Sequence, residues 1–224
     1  MTEEEWLRGQ SPEPLIEKIE QLHLSRKISL LGLAFCARLA SLVTDSRHRN
    51  VFLGAEDYFE GIITTEQFDR LLKPVIAMWA QEGFRTADSI ENCLTAAARH
   101  ALQDGNAIYL ARFVAMAKGL EAGPEDSVEC QRGISTEETA LCELIRDIFG
   151  NPFRPVAIDS AWLTPTTVAI AEGIYAEKAF DRLPILADAL QDAGCENADI
   201  LTHLRSDGPH VKGCWALDLV LGKE

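Results

Sequence analysis

Ser25-Arg-Lys-Ile-Ser-Leu-Leu-Gly-Leu-Ala-Phe-Cys-Ala-Arg-Leu-Ala-Ser-Leu-Val43 is the stretch on which the fold class turns. Ile28, Leu31, Phe35, Leu39 and Leu42 recur at the spacing of one helical face, while Leu30, Leu33 and Ala37 make other faces apolar too. A helix apolar nearly all round belongs inside a bundle, so this segment is the expected hub of the core. Its longest apolar run, residues 30–37, is cut by Arg38 and falls far short of the roughly 20 residues that cross a bilayer.

The flanking sequence supplies partners for that hub. Val51, Ala55, Tyr58, Phe59 and Ile62 form one stripe; Phe68, Leu71, Leu72, Val75, Ile76 and Trp79 form a second, in which Pro74 predicts a kink or a fresh start. Ile90, Leu94, Ala97 and Ala101 form a third, and Leu141, Leu144, Ile145, Ile148 and Phe149 a fourth. Helix starts are marked by capping boxes at Thr2/Glu5, Thr64/Gln67 and Ser135/Glu138, and by a hydroxyl before proline at Ser11-Pro12 and Thr164-Pro165. No long alternating run rich in β-branched residues occurs. The expectation is an all-α chain, a multi-helix bundle or short helical solenoid, with one short extended segment near 152–159.

Residues 121–133 are polar and hold two glycines and a proline, which predicts an N-terminal helical region (1–122), a linker or loop (123–135) and a C-terminal helical region (136–224), or one continuous domain. Charge shifts across this boundary. Residues 1–123 carry 13 basic and 17 acidic side chains, net −4; residues 124–224 carry 8 and 18, net −10. With a total of −14, the chain is a poor match for nucleic acid, and Arg26-Lys27 and Arg47-His48-Arg49 are too small for a phosphate footprint. An apolar share of 47% and a mean hydropathy of −0.03 fit a globular protein and exclude a membrane-spanning class. Six cysteines without a C-x-x-C pair, and an acidic opening where a signal peptide would be basic, point to a reducing cytoplasm.

Beyond Phe149, Gly150 reads as the residue that ends a helix, and Asn151-Pro-Phe-Arg-Pro155 as a turn tethered by Phe149 and Phe153. Asp181 and Pro184 predict a further helix start, with Phe180 and Ile185 at the spacing of a hydrophobic staple, and Gly194 predicts its end. Short helices are expected over 197–205 and 214–221.

The opening Met1-Thr-Glu-Glu-Glu-Trp-Leu7, the block Leu144-Ile-Arg-Asp-Ile-Phe-Gly-Asn-Pro-Phe-Arg-Pro155, the segment Ala179-Phe-Asp-Arg-Leu-Pro184 and the ending His210-Val-Lys-Gly-Cys-Trp215 resemble a bacterial family that occurs as many related copies per genome. The resemblance covers both ends of the chain and leaves residues 60–135 without a marker. It implies a cytoplasmic, mostly helical protein, and it carries over no activity, cofactor or catalytic residue.

Cys195, His203, His210 and Cys214 are four residues of zinc-ligand type within twenty positions. On one helix, Cys195 and His203 would stand about 12 Å apart, too far to share an ion. The zinc reading therefore reduces to His203 with His210 and Cys214, the last two on adjacent helical turns. The reading preferred on sequence buries Cys214 beside Trp215, leaves the histidines capping or hydrogen-bonding, and assigns no metal, no cofactor and no catalytic residue. A third makes Cys214 a nucleophile with His210 as base. Glu20-Gln-Leu-His23 supplies a single E-x-x-H, where a di-iron bundle needs two. The acidic trio Glu56, Asp57 and Glu60 reads as a solvated face. No phosphate loop, dinucleotide fingerprint, H-E-x-x-H or G-x-S-x-G occurs.

Function on sequence is thus expected to be that of a non-catalytic interaction or adaptor module with a protein partner of basic surface, binding neither nucleic acid nor membrane. A zinc-stabilised helical protein is the alternative, and a cysteine-dependent enzyme stands third. The oligomeric state is left open.

Overall fold

The computed structural model describes residues 1–59, 62–82, 89–99 and 106–223. Among them the chain is all-α, with twelve α-helices and three 3-10 turns and no strand. It divides into two compact units, one of Met1 with Glu3–Cys142 and one of Thr2 with Glu143–Glu224.

The first unit holds α1 (Glu3–Arg8), α2 (Pro12–Glu20), α3 (Ser25–Ala37), α4 (Ser46–Phe59), α5 (Thr65–Glu82), α6 (Ile90–Arg99), α7 (Ala107–Ala122) and most of α8 (Val128–Phe149). The expected hub is shorter than the sequence suggests: α3 stops at Ala37, Arg38 caps it, and Ala40–Leu42 form a 3-10 turn. Leu39 and Val43 are buried all the same, so the apolar pattern survives the break. The second hub element is α7, which the sequence reading left without a marker. It packs against α2, α3 and α6 and buries Leu110, Val114 and four alanines within its length. Small side chains spread round a helix let three neighbours approach at once.

A satellite core joins α4 to α5, where Val51, Ala55, Phe68, Leu72 and Val75 are buried and the Tyr58 and Phe68 rings stack at 4.8 Å. Ile62, expected in this stripe, is 70% exposed because α4 has ended at Phe59. Pro74 lies within α5 and starts no second helix. Glu60 and Ala101 lie outside the described residues, as do the side chains of Phe59 and Trp79.

Helix starts follow the sequence with two corrections. The Thr64/Gln67 capping box closes in both directions, at 2.8 and 3.3 Å, and the Thr164 oxygen accepts from the Thr167 amide. Pro12 opens α2 as expected, but the Ser11 hydroxyl makes no cap bond. The Ser135/Glu138 box does not form, since α8 has begun at Val128 under a cap from Ser127 to the Cys130 amide. The loop before it is residues 123–127 alone. Gly133 serves packing there: a Cβ on it would sit 3.0 Å from the Gly119 Cα of α7.

The second unit contains the end of α8, a helix-free stretch over 150–159, α9 (Pro165–Glu177), α10 (Leu183–Asp192), α11 (Ala198–Leu204) and α12 (Trp215–Leu221). α9 packs on α10 and α12, and α11 bridges α10 and α12. Ile174, Leu186, Leu190, Ile200, Leu204 and Leu217 lead its apolar cluster. The expected Phe180/Ile185 staple fails. Phe180–Arg182 form a 3-10 turn, α10 starts at Leu183, and the face Leu183, Leu186, Ala187, Leu190 turns Ile185 outward to 55% exposure.

Candidate metal centre

The C-terminal end of α8 carries Leu144, Ile145 and Ile148 inward, and Asp147 shares that buried side with 3% exposure. An ionised carboxylate in such a place needs strong partners. It has three. Its Oδ1 meets His210 Nδ1 at 2.7 Å and His203 Nε2 at 3.2 Å, while its Oδ2 accepts from the Val211 amide at 3.0 Å.

Each partner is positioned by local chemistry. Asn197 caps α11 by accepting from the Asp199 and Ile200 amides, and Ile200, Leu201 and Leu204 bury one face, which leaves His203 at the edge of the core. The chain then turns through Ser206-Asp-Gly208, where Gly208 adopts a φ of +88°. A Cβ at Gly208 would meet the His210 amide nitrogen at 2.9 Å, so glycine keeps the His210 ring against Asp147. Cys214 precedes α12 and is fully buried. Its sulfur lies 3.2 Å from His203 Nε2.

Trp215 locks the corner. Its ring lies 5.1 Å from that of His203 and leaves 3.0 Å for a Cβ at Gly150, which ends α8 with a φ of +64°. Gly150 thus fulfils the helix-ending role read from sequence, three residues beyond Asp147.

One ligand atom from each of Asp147, His203, His210 and Cys214 lies within 4.8 Å of all the others. Tetrahedral zinc, with bonds of about 2.0–2.3 Å, places its ligand atoms roughly 3.3–3.8 Å apart. The three contacts of 2.7–3.2 Å are shorter than this, while the group as a whole falls within 4.8 Å, so an ion would replace the hydrogen bonds by evening out the separations. The surroundings match those of ligating groups. His210 turns its second nitrogen, Nε2, to the Ser206 carbonyl at 3.2 Å, and the non-ligating oxygen of Asp147 is held by an amide.

Burial alone would push the Asp147 carboxyl up, yet the hydrogen bonds and charges of His203 and His210 together bring it below its ordinary value. Burial likewise works against a charged His210, and the Asp147 hydrogen bond and charge outweigh it, so its imidazole is raised. Cys214 is pushed well up, by burial first and by the Asp147 charge second, against a smaller opposing effect of the Leu217 and Ala216 amides. With its pKa raised, Cys214 is a neutral thiol beside the Asp147 carboxylate, and a bound divalent ion would be what lets it ionise there.

His210, the base read from sequence for Cys214, turns its two nitrogens to Asp147 and Ser206, and the Cys214 sulfur lies against His203 instead. In a triad the nucleophile and the orienting carboxylate use opposite nitrogens of the imidazole. Here Cys214 Sγ and Asp147 Oδ1 both face His203 Nε2 at 3.2 Å. The three atoms converge on a point instead of forming a relay.

The residues anticipated from sequence are placed as follows. His203, His210 and Cys214 do come together, but not from adjacent turns of one helix, because residues 207–213 are non-helical. Cys195 is buried ahead of α11, off the helix assumed for it, and is not among the four. The missing member was Asp147; a charged residue on the buried side of an apolar stripe was the signal that could have found it. His23 follows the end of α2 at a φ of +55°, so Glu20 and His23 do not share a helix. Arg47 pairs with Asp45, Arg49 donates to the Val43 carbonyl and His48 is buried, which makes that basic cluster local. No family model, curated protein or solved structure matches the chain.

Proposed function

We propose that this protein is a zinc-binding helical protein in which Asp147, His203, His210 and Cys214 hold one structural ion in the C-terminal unit. The observation that carries the reading is the convergence of their four ligand atoms within 4.8 Å. A thiolate with two imidazoles and a carboxylate suits zinc better than magnesium or calcium, which take oxygen donors. Four protein ligands fill a tetrahedron, so the role is structural and leaves no position for a substrate.

All six cysteines are buried, and burial pushes the Cys36 thiol up to about 12, which accords with a reducing cytoplasmic setting. No helix among the described residues is long and apolar enough to cross a membrane. An acidic surface offered to a basic protein partner is compatible with this reading, since a metal-tied unit presents fixed groups.

The test is metal analysis of protein purified without an affinity tag, coupled to thermal melting with and without a chelator. One equivalent of zinc and a lower melting temperature after chelation are expected. Zinc far below one equivalent, with melting indifferent to zinc and chelator, would remove the proposal.

A further inference from the structure

The four ligands do not share one kind of support. His203 and Cys214 sit on α11 and at the start of α12, helices that pack on each other and place Leu204, Cys214 and Leu217 in the apolar cluster. His210 sits on the intervening loop, and no residue from 205 to 213 belongs to that cluster or to the side chains packed on it. Besides Lys212, whose ammonium lies 5.3 Å over the Tyr175 ring of α9, the loop's polar anchors run to the ligand set. Val211 donates to Asp147 Oδ2 at 3.0 Å, His210 Nδ1 meets Asp147 Oδ1 at 2.7 Å, and Ser206 contacts the far side of the His210 ring.

We infer that zinc acts as a latch on the loop over residues 206–213, fastening it to Asp147 while the packing of α9 to α12 persists whether or not the ion is bound. The inference rests on the zinc reading above and adds its regulation: zinc supply sets whether this loop is fastened. The physical ground is the division of labour. Burial of Leu186, Leu190, Ile200, Leu204 and Leu217 holds the helices independently of any ion, whereas the loop has hydrogen bonds and ligation in place of apolar burial. Segments with few buried apolar contacts open at low free-energy cost, so loss of the ion acts there first.

Amide hydrogen exchange of the full chain, loaded with one equivalent of zinc and then treated with EDTA, tests this, with bound zinc measured on the same samples. At short labelling times, exchange in peptides covering 206–213 should accelerate about tenfold or more on chelation, well beyond the change in peptides from α9 and α10, whose exchange reports global opening. Cys214→Ser, which keeps the volume and removes the thiolate, should show the fast loop without chelator. Acceleration spread evenly over α9 to α12 would overturn the latch and make the ion a folding nucleus. An unchanged loop in protein that demonstrably loses zinc would also overturn it. Protein that takes up no zinc fails the metal reading itself, and the latch with it.

Discussion

Helix α8 carries two buried carboxylates, Glu137 in the first unit and Asp147 in the second, at 4% and 3% exposure. Glu137 faces a permanent cation: Arg38 donates through Nε and Nη2 at 2.8 and 2.9 Å in a bidentate pair. Asp147 faces two imidazoles and an amide, with a thiol 3.2 Å from one of those imidazoles. The first carboxylate is neutralised by a residue that never loses its charge. The second is balanced by groups whose charge depends on protons. Equal burial with unequal compensation distinguishes a fixed ion pair from a carboxylate whose balance depends on the protonation of its neighbours.

The strongest way to break this comparison is Asp147→Ala. Loss of one of four ligands should weaken zinc binding by about 100-fold or more, beyond the 10–100-fold typical of residues that only support a ligand. At zinc about a thousandfold above the dissociation constant, the ligation contributes about 4 kcal/mol, and the variant should lose most of it in denaturant unfolding. Full zinc affinity in Asp147→Ala would remove the carboxylate from the ligand set.

Glu137→Ala should cost less, about 1–3 kcal/mol, because Arg38 is 42% exposed and recovers water when its partner goes. Its melting temperature should fall by the same amount with and without EDTA. A chelator-dependent difference would erase the distinction between the two carboxylates. Gly150→Ala should cost about 1–3 kcal/mol through its left-handed backbone and the Trp215 ring. It should also lower zinc affinity, since the wedge lies three residues from Asp147. Smallest are the caps. Thr164→Ala should cost about 1 kcal/mol, while Ser11→Ala, with no cap bond to lose, should cost a few tenths, both read from denaturant midpoints.

The sequence carried the fold further than the site. Apolar spacing at Phe68, Leu72 and Val75 and at Leu141, Leu144, Ile145 and Ile148 marks buried faces, because helix periodicity alone decides which side chains can meet a core. Thr64, Thr164, Gly150 and Gly222 mark ends for equally local reasons. Errors fall where tertiary contact overrides local chemistry. Gly133 reads as punctuation until α7 is seen against it, and Ser135 reads as a cap until α8 is seen to have begun earlier.

Of the four residues of the proposed centre, His203, His210 and Cys214 were named from sequence, as an alternative to a reading without metal, and Asp147 was not. His203, His210 and Cys214 lie within twelve positions, so their grouping is a local property. Asp147 precedes His203 by 56 positions and reaches it only because α8 ends beside the α11–α12 corner. Spacing rules for zinc assume ligands paired on neighbouring turns, and a centre assembled across such a distance has no short signature.

The contact between Trp215 and the His203 ring has an optical consequence. An indole some 5 Å from a ligand imidazole lies within reach of quenching by an open-shell ion. Substituting cobalt(II) for zinc should therefore dim Trp215 emission and add visible d–d bands. Trp215 emission would then report occupancy of the proposed site.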